Sequence, residues 1–217
     1  MVEAQHIAST MKLVDTQDEQ DLLESLLDDS KPVWHDATQK LDYLLGTPFR
    51  YDPLRGGSRF RGQNDLGVFY GAQSVRTAGA ELGFWRWKFL QDAKDLDRLE
   101  PVAHTAFRVE VSTTVVDVRT ATFATAAQAL HHPTDYVPPQ AFARVAREAQ
   151  VGAIIYCSVR DPQPGWCMAL LTPAGFAKAR PQAPAQTWFL AVTQQAVTWR
   201  RDNESMQFSV TTWQTHG

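Results

Sequence analysis

Only two cysteines, Cys157 and Cys167, occur in the 217 residues of this chain. A disulfide framework is therefore excluded. No His or Cys stands at zinc-ligand spacing either, so no metal centre is expected. The thiols read as two buried free cysteines. Long apolar runs are also missing, and nothing approaches the length of a membrane span. The start of the chain is polar and acidic, without the apolar core or cleavage pattern of a signal peptide. A reducing, cytoplasmic setting is the resulting expectation. Nor is there an excess of charge of one sign. Lys+Arg number 21 and Asp+Glu 24, a formal charge of -3. That argues against a nucleic-acid binder with a broad basic surface, but leaves room for a local basic pocket. Three motifs are absent as well: G-x-x-x-x-G-K-[ST], a strand-coupled G-x-G-x-x-G, and a G-x-S-x-G elbow. Their absence sets aside a P-loop, a Rossmann cofactor site and acyl-enzyme chemistry.

What is present suits a folded domain. The hydrophobic fraction is 44% and the charged fraction 21%, with seven Trp and eleven Phe to fill a ring-rich core. Residues 1–30 read as an N-terminal arm, partly disordered before about Thr16 and then helical over Asp21–Leu27. Residues 31–217 read as the main domain. Within it, Thr38–Leu45 predicts a short helix closed by Gly46 and Pro48. Leu66–Ala72 predicts a strand. Phe107–Val111, Ala153–Cys157 and Met168–Leu171 predict further strands. Ala124–Leu130 and Pro139–Gln150 predict helices. Pro181 and Pro184 mark a linker before a terminal run of strands over Thr187–Val192, Val197–Arg201 and Gln207–Trp213. The expected fold class is α+β, with a curved, mostly antiparallel sheet and surrounding helices.

The clearest element is a helix over Ser74–Leu90. Ser74 is a candidate N-cap, and Val75, Ala78, Leu82, Trp85 and Phe89 predict its apolar face. At roughly 100° per residue, Glu81 falls at the border of that face. Such a carboxylate is either a half-exposed flank or an ion held in a cleft.

Chemistry concentrates between Arg50 and Glu81. Arg50, Arg55, Arg59 and Arg61 crowd a turn-rich stretch with Gly56, Gly57 and Gly62. Guanidinium forks fit phosphate oxygens in pairs, and glycines let backbone N–H groups approach an anion. A solvated basic loop is the plain alternative. Tyr70, between Phe69 and Gly71, can offer its ring to a flat heterocycle, or simply pack with its hydroxyl satisfied. Glu81 suits a sugar that becomes positive in its transition state, or else pairs with a nearby arginine. Taken together these are the needs of a site that breaks the glycosidic bond of NAD. Ser158, in Tyr156-Cys157-Ser158-Val159-Arg160, reads as a hydrogen-bonding or phosphate-contacting residue or as an ordinary strand-end serine. His131-His132 reads as loop.

The motifs Phe49-Arg50, Gly57-Ser58-Arg59-Phe60, Phe69-Tyr70, Thr77-Ala78-Gly79-Ala80-Glu81 and Gly152-Ala153-Ile154-Ile155-Tyr156-Cys157-Ser158 occur in the order and spacing of a known family. Over residues 45–175 the chain resembles RES-domain proteins, named for an arginine, a glutamate and a serine. Two departures stand out. Ser58 splits the family's Gly-Gly-Arg, and Arg61 replaces a common Asn, so either Arg59 or Arg61 faces the ligand.

The resemblance implies a fold similar to ADP-ribosyltransferase toxins and an NAD-binding domain. It implies a toxin that consumes NAD as substrate by hydrolysis or phosphorolysis, with inorganic phosphate as co-substrate in the second case. By the same resemblance Arg50 and Arg59 hold the phosphates, with Tyr51 and Arg61 alongside. Tyr70 stacks on nicotinamide, Glu81 addresses the ribose and Ser158 completes the pocket. Glu81, Tyr70 and Arg59 are thus the candidate catalytic residues. Mono-ADP-ribosyl transfer to a protein is the alternative activity, and an inactive binding module the alternative class. The implied partner is an Xre-type antitoxin. Neither nucleic acid nor membrane is expected as a direct partner, and a homo-oligomer within a toxin–antitoxin complex is compatible with the sequence.

Overall fold

The computed structural model describes residues 1–3, 16, 18–19, 22–23, 26, 32, 36–51 and 57–214. Arg55, Gly56 and most of the N-terminal arm lie outside the described residues. The fold is α+β and its pairing is mostly antiparallel, as expected, but the strands are divided between two sheets instead of one.

The first sheet has five strands, all antiparallel, in the order β1-β3-β7-β8-β9. These are β1 (Val2–Glu3), β3 (Arg98–Arg108), β7 (Gln182–Thr193), β8 (Ala196–Arg201) and β9 (Glu204–Ser209). Val2 and Glu3 pair with Thr105 and His104, so part of the segment expected to be disordered is a strand. Asp18, Glu19, Leu22, Leu23 and Leu26 are helical. Pro184 lies inside β7 rather than in a linker. It falls where the register with β3 shifts, between the pairs Ala106–Gln186 and Arg108–Gln182. Such an irregularity spares the ladder hydrogen bond that a proline cannot donate. The final predicted strand stops at Ser209, and Trp213 sits instead in helix α5 (Thr211–Gln214).

The second sheet has four strands, β2 (Phe69–Ala72), β6 (Trp166–Leu170), β5 (Ala153–Cys157) and β4 (Val115–Asp117), in that order. Only the β4–β5 pair is parallel. The crossover between them carries helices α3 (Ala127–Leu130) and α4 (Val137–Glu148). Alternation along the strands gives this sheet two faces. One buries Ile154, Tyr156, Cys167 and Ala169 with Phe60 and Leu130. The opposite face buries Phe69, Ala153 and Leu170 with Leu45 and Phe49. Leu45 belongs to α1 (Tyr43–Gly46), a single turn capped by the Asp42 side chain, where a longer helix was expected.

Helix α2 (Val75–Asp92) joins the two halves. Ser74 caps it, accepting the Thr77 N–H at 3.1 Å. Its buried face is not the predicted one. Ala80, Phe84, Trp87 and Leu90 are in the core, whereas Trp85 is 49% and Phe89 54% exposed. The reason is glycine. A Cβ on Gly83 would come within 2.7 Å of Val197 Cγ1, and one on Gly79 within 3.2 Å of Trp199 Nε1. These two bare positions let the helix backbone settle onto β8. There Trp199, fully buried, donates its indole N–H to the Gly79 carbonyl at 3.1 Å. A count of apolar side chains cannot see a face built on glycine.

Candidate functional site

Glu81 stands one helical turn after Thr77, at the edge between the buried residues Ala80 and Phe84 and the exposed Trp85. It is half-buried and does not point into bulk solvent. Ser158 Oγ donates to Glu81 Oε1 at 2.6 Å. Strand alternation explains how Ser158 gets there. Tyr156 faces the interior, Cys157 faces out and Ser158 turns inward again as the chain leaves β5. Cys157 is accordingly exposed, against the expectation of two buried thiols, and only Cys167 is buried.

The serine oxygen is fully occupied. It accepts the backbone N–H groups of Arg160 at 3.3 Å and Asp161 at 3.1 Å. A hydroxyl has one proton and two lone pairs. With both lone pairs engaged, the proton is directed at the carboxylate. Cys167 adds a weak contact, with Sγ 3.9 Å from Glu81 Oε1. Burial pushes the Cys167 thiol well above its ordinary pKa, and the negative charge of Glu81 pushes it further. It is therefore a neutral thiol and no nucleophile. Tyr156, opposite Cys167 in the β5–β6 register, is likewise raised, by burial first and then by the charges around it, Glu81 included.

Two buried cations face this group. Arg59 is 7% exposed and donates through Nη1 to the carbonyls of Leu130 at 3.1 Å and His132 at 2.8 Å. Its guanidinium lies 5.0 Å from the Tyr136 ring centroid and 5.9 Å from that of Tyr156. Arg160 is 3% exposed, lies 3.5 Å above the Phe84 ring and bonds the Pro133 carbonyl and the Tyr136 side chain. Its main-chain carbonyl accepts the Trp213 indole N–H at 2.8 Å. The charges of Arg59 and Glu81 both reach Arg160.

Tyr70 closes the other side. It keeps 36% exposure overall, but its hydroxyl end is buried. There it accepts the Phe60 N–H at 2.9 Å and shares a hydrogen bond with Ser58 Oγ at 2.8 Å. Burial raises the phenol above its ordinary pKa. The ring is thus pinned at the hydroxyl and open along its body.

The remaining candidates make other contacts. Arg61 donates Nε to the Asp65 carbonyl at 3.2 Å and Nη2 to the Tyr51 carbonyl at 2.6 Å. Arg50 donates Nε to the Pro32 carbonyl and lies 5.9 Å from the Tyr51 ring. Glu81, Ser158, Arg59 and Tyr70 are brought together with Tyr156 between them. Arg50 and Arg61 thus both contact Tyr51, and Arg61 also ties it to Asp65.

Arg160, Tyr136, Tyr156 and Cys167 are not among the site residues expected from the sequence. Arg160 stood in the quoted Ser158 segment, two residues after the serine, and a cation at that spacing was the available signal. His131, by sequence a loop residue, has a structural role. Its Nε2 accepts the Cys157 N–H at 3.1 Å while Nδ1 faces the Ala127 carbonyl at 2.9 Å, which makes it a strut between α3 and β5. Among the described residues no group of three or more His, Cys, Asp or Glu is placed to hold a metal ion. Among them, too, no helix is long and apolar enough to cross a membrane.

An α+β frame that sets a glutamate from a helix against a strand-end serine, with a buried arginine beside them, defines a class of site. The model of the RES domain matches residues 32–193, and the chain belongs to that family. RES domains are associated with NAD-related toxin function and are typically paired with an antitoxin. No curated protein gives a match to this chain.

Proposed function

We propose that this protein is an NAD-degrading toxin that cleaves the bond between nicotinamide and ribose, as a glycohydrolase or a phosphorylase. The observation that carries the reading is the 2.6 Å hydrogen bond from Ser158 to Glu81, which fixes a carboxylate beside the buried cations Arg59 and Arg160. The chemistry needs little else. Nicotinamide is cationic in NAD and leaves as a neutral molecule without a general acid. The ribose then acquires oxocarbenium character. A preorganised carboxylate stabilises that developing charge, the more so in a site shielded from water.

In this reading Glu81 faces the ribose and Tyr70 presents its open ring to nicotinamide. Arg59 supplies positive charge to the diphosphate and Ser158 holds the glutamate. Arg50, Tyr51 and Arg61 support the loop that carries Arg59. NAD is the substrate, and water or inorganic phosphate the acceptor. The partner is an Xre-type antitoxin that covers the surface between Arg59 and Glu81.

One assay tests the activity and names it. Purified protein is given labelled NAD with and without phosphate. Free ADP-ribose identifies a glycohydrolase and ADP-ribose 1''-phosphate a phosphorylase. Label on a polypeptide identifies a mono-ADP-ribosyltransferase. No release of nicotinamide overturns the reading. In cells, expression should drain NAD and stop growth, and growth arrest with unchanged NAD would exclude it. Co-purification with the product of the adjacent gene tests the antitoxin.

A further inference from the structure

Asp161 is a buried charge outside the residues that face the proposed substrate. Its side chain is 2% exposed. Oδ2 accepts the Thr77 hydroxyl at 3.0 Å, and Oδ1 accepts the Gln163 N–H at 3.1 Å and lies 3.3 Å from Arg76 Nε. The Arg76 contact is an ion pair without hydrogen-bond geometry, since Nε has no hydrogen-bond partner among the described residues. The Thr77 hydrogen bond is therefore the firmer arm by which this buried carboxylate holds two pieces of chain together. Both pieces lead to the same hydrogen bond. The Asp161 main-chain N–H reaches Ser158 Oγ, which orients the donor. Its side chain grips Arg76 and Thr77 in the first turn of α2, and Glu81, the acceptor, is one turn further along. The return leg of the turn is pressed onto the same threonine, since a Cβ on Gly165 would come within 2.6 Å of Thr77 Oγ1. Ser158 is carried by one sheet and Glu81 by a helix packed on the other. Asp161 bridges the seam between them.

We infer that Asp161 is a positioning residue: by fixing the 158–161 turn to the first turn of α2, it sets the distance between Ser158 and Glu81. The kinetic part of this inference rests on the NAD reading above. Asp161→Ala should lower kcat for nicotinamide release about 10- to 100-fold, the range for a misplaced catalytic group, with KM for NAD changed less than about twofold. Asp161→Asn keeps an acceptor for Thr77 and should restore most of kcat. A merely structural role would lower the melting temperature of Asp161→Ala and leave kcat of the folded enzyme intact.

A second readout needs no substrate. The side-chain carboxyl ¹³C resonance of Glu81, assigned by its loss in Glu81→Gln, should move in Asp161→Ala towards its position in Ser158→Ala. It should stay near the wild-type position in Asp161→Asn. If Asp161→Ala does not fold, Thr77→Val removes one arm of the clamp and should move kcat and the resonance in the same direction. Wild-type values for both in the folded variant overturn the inference. If the wild-type protein releases no nicotinamide, the NAD reading fails and the resonance alone decides on Asp161.

Discussion

Arg59 and Arg61 are two residues apart in one motif, and they meet different fates. Arg59 is driven into the interior, where Leu130 and His132 carbonyls hold one end and the rings of Tyr136 and Tyr156 flank it. Arg61 is bonded to the carbonyls of Tyr51 and Asp65. One cation faces the acid on α2, and the other ties a loop together. Guanidinium is always charged and always a fork of donors, so residue type does not separate the two. What separates them is the crossover between β4 and β5, which delivers the carbonyls of Leu130 and His132 to Arg59.

Removing the acid on α2 should cost most. Glu81→Gln keeps the shape and removes the charge. It should lower NAD turnover by about two to three orders of magnitude, the usual cost of losing a preorganised charge. Stopped assays of nicotinamide release check this, and turnover within threefold of wild type would mean that the acid does no chemistry. Next, Arg59→Gln and Arg61→Gln should part company. The first leaves buried carbonyls unpaired and should cost about 1–3 kcal/mol in urea unfolding along with most of the activity. The second should loosen the loop and cost less in both. Equal losses would mean that the two arginines do the same work. Ser158→Ala should reduce kcat at least about tenfold, as expected when a hydrogen bond of roughly 1.5 kcal/mol or more to a charged group is lost.

The smallest effect concerns pH and compares the two sides of the molecule. His104, in the first sheet, is 1% exposed, and its Nε2 has no partner among the described residues. Burial holds its pKa below the ordinary value, and burial does the same to His131, followed by the charge of Arg59. The unfolded chain therefore binds these protons more readily. The stability involved is present above the ordinary imidazole value of about 6.5 and is lost as pH falls through the lower folded values. Thermal melts should drop between about pH 7 and pH 5, and the drop should flatten in His104→Gln and His131→Gln. A slope unchanged in both variants would rule out these histidines as its source.

Much of the frame was legible. The Ser74 cap, the strands at 153–157 and around 168, and the helix after Pro138 follow from local pattern, because caps, alternation and turn residues act over a few positions. The inner face of α2 did not, since Gly79 and Gly83 contribute contact by lacking a side chain. The meeting of Glu81 with Ser158 across 77 positions was implied by the family resemblance and not by local pattern. That contact depends on how two sheets stack, and single-sequence periodicity contains no such term. Arg160, Tyr136 and Asp161 went unnoticed for the same reason. Each looks like an ordinary loop residue until the turn after β5 is folded against α2.

The Trp213 indole bonded to the Arg160 carbonyl has a practical side. The family match ends at residue 193, so β8, β9 and this tryptophan lie beyond it. A fragment trimmed to residues 32–193 would keep every motif arginine, glutamate and serine, yet lose Trp199 from beneath Gly79 and Trp213 from behind the serine turn. Cloning for assay or crystallisation should carry the chain through Gln214, since an inert shortened version would report on its missing buttress and not on its chemistry.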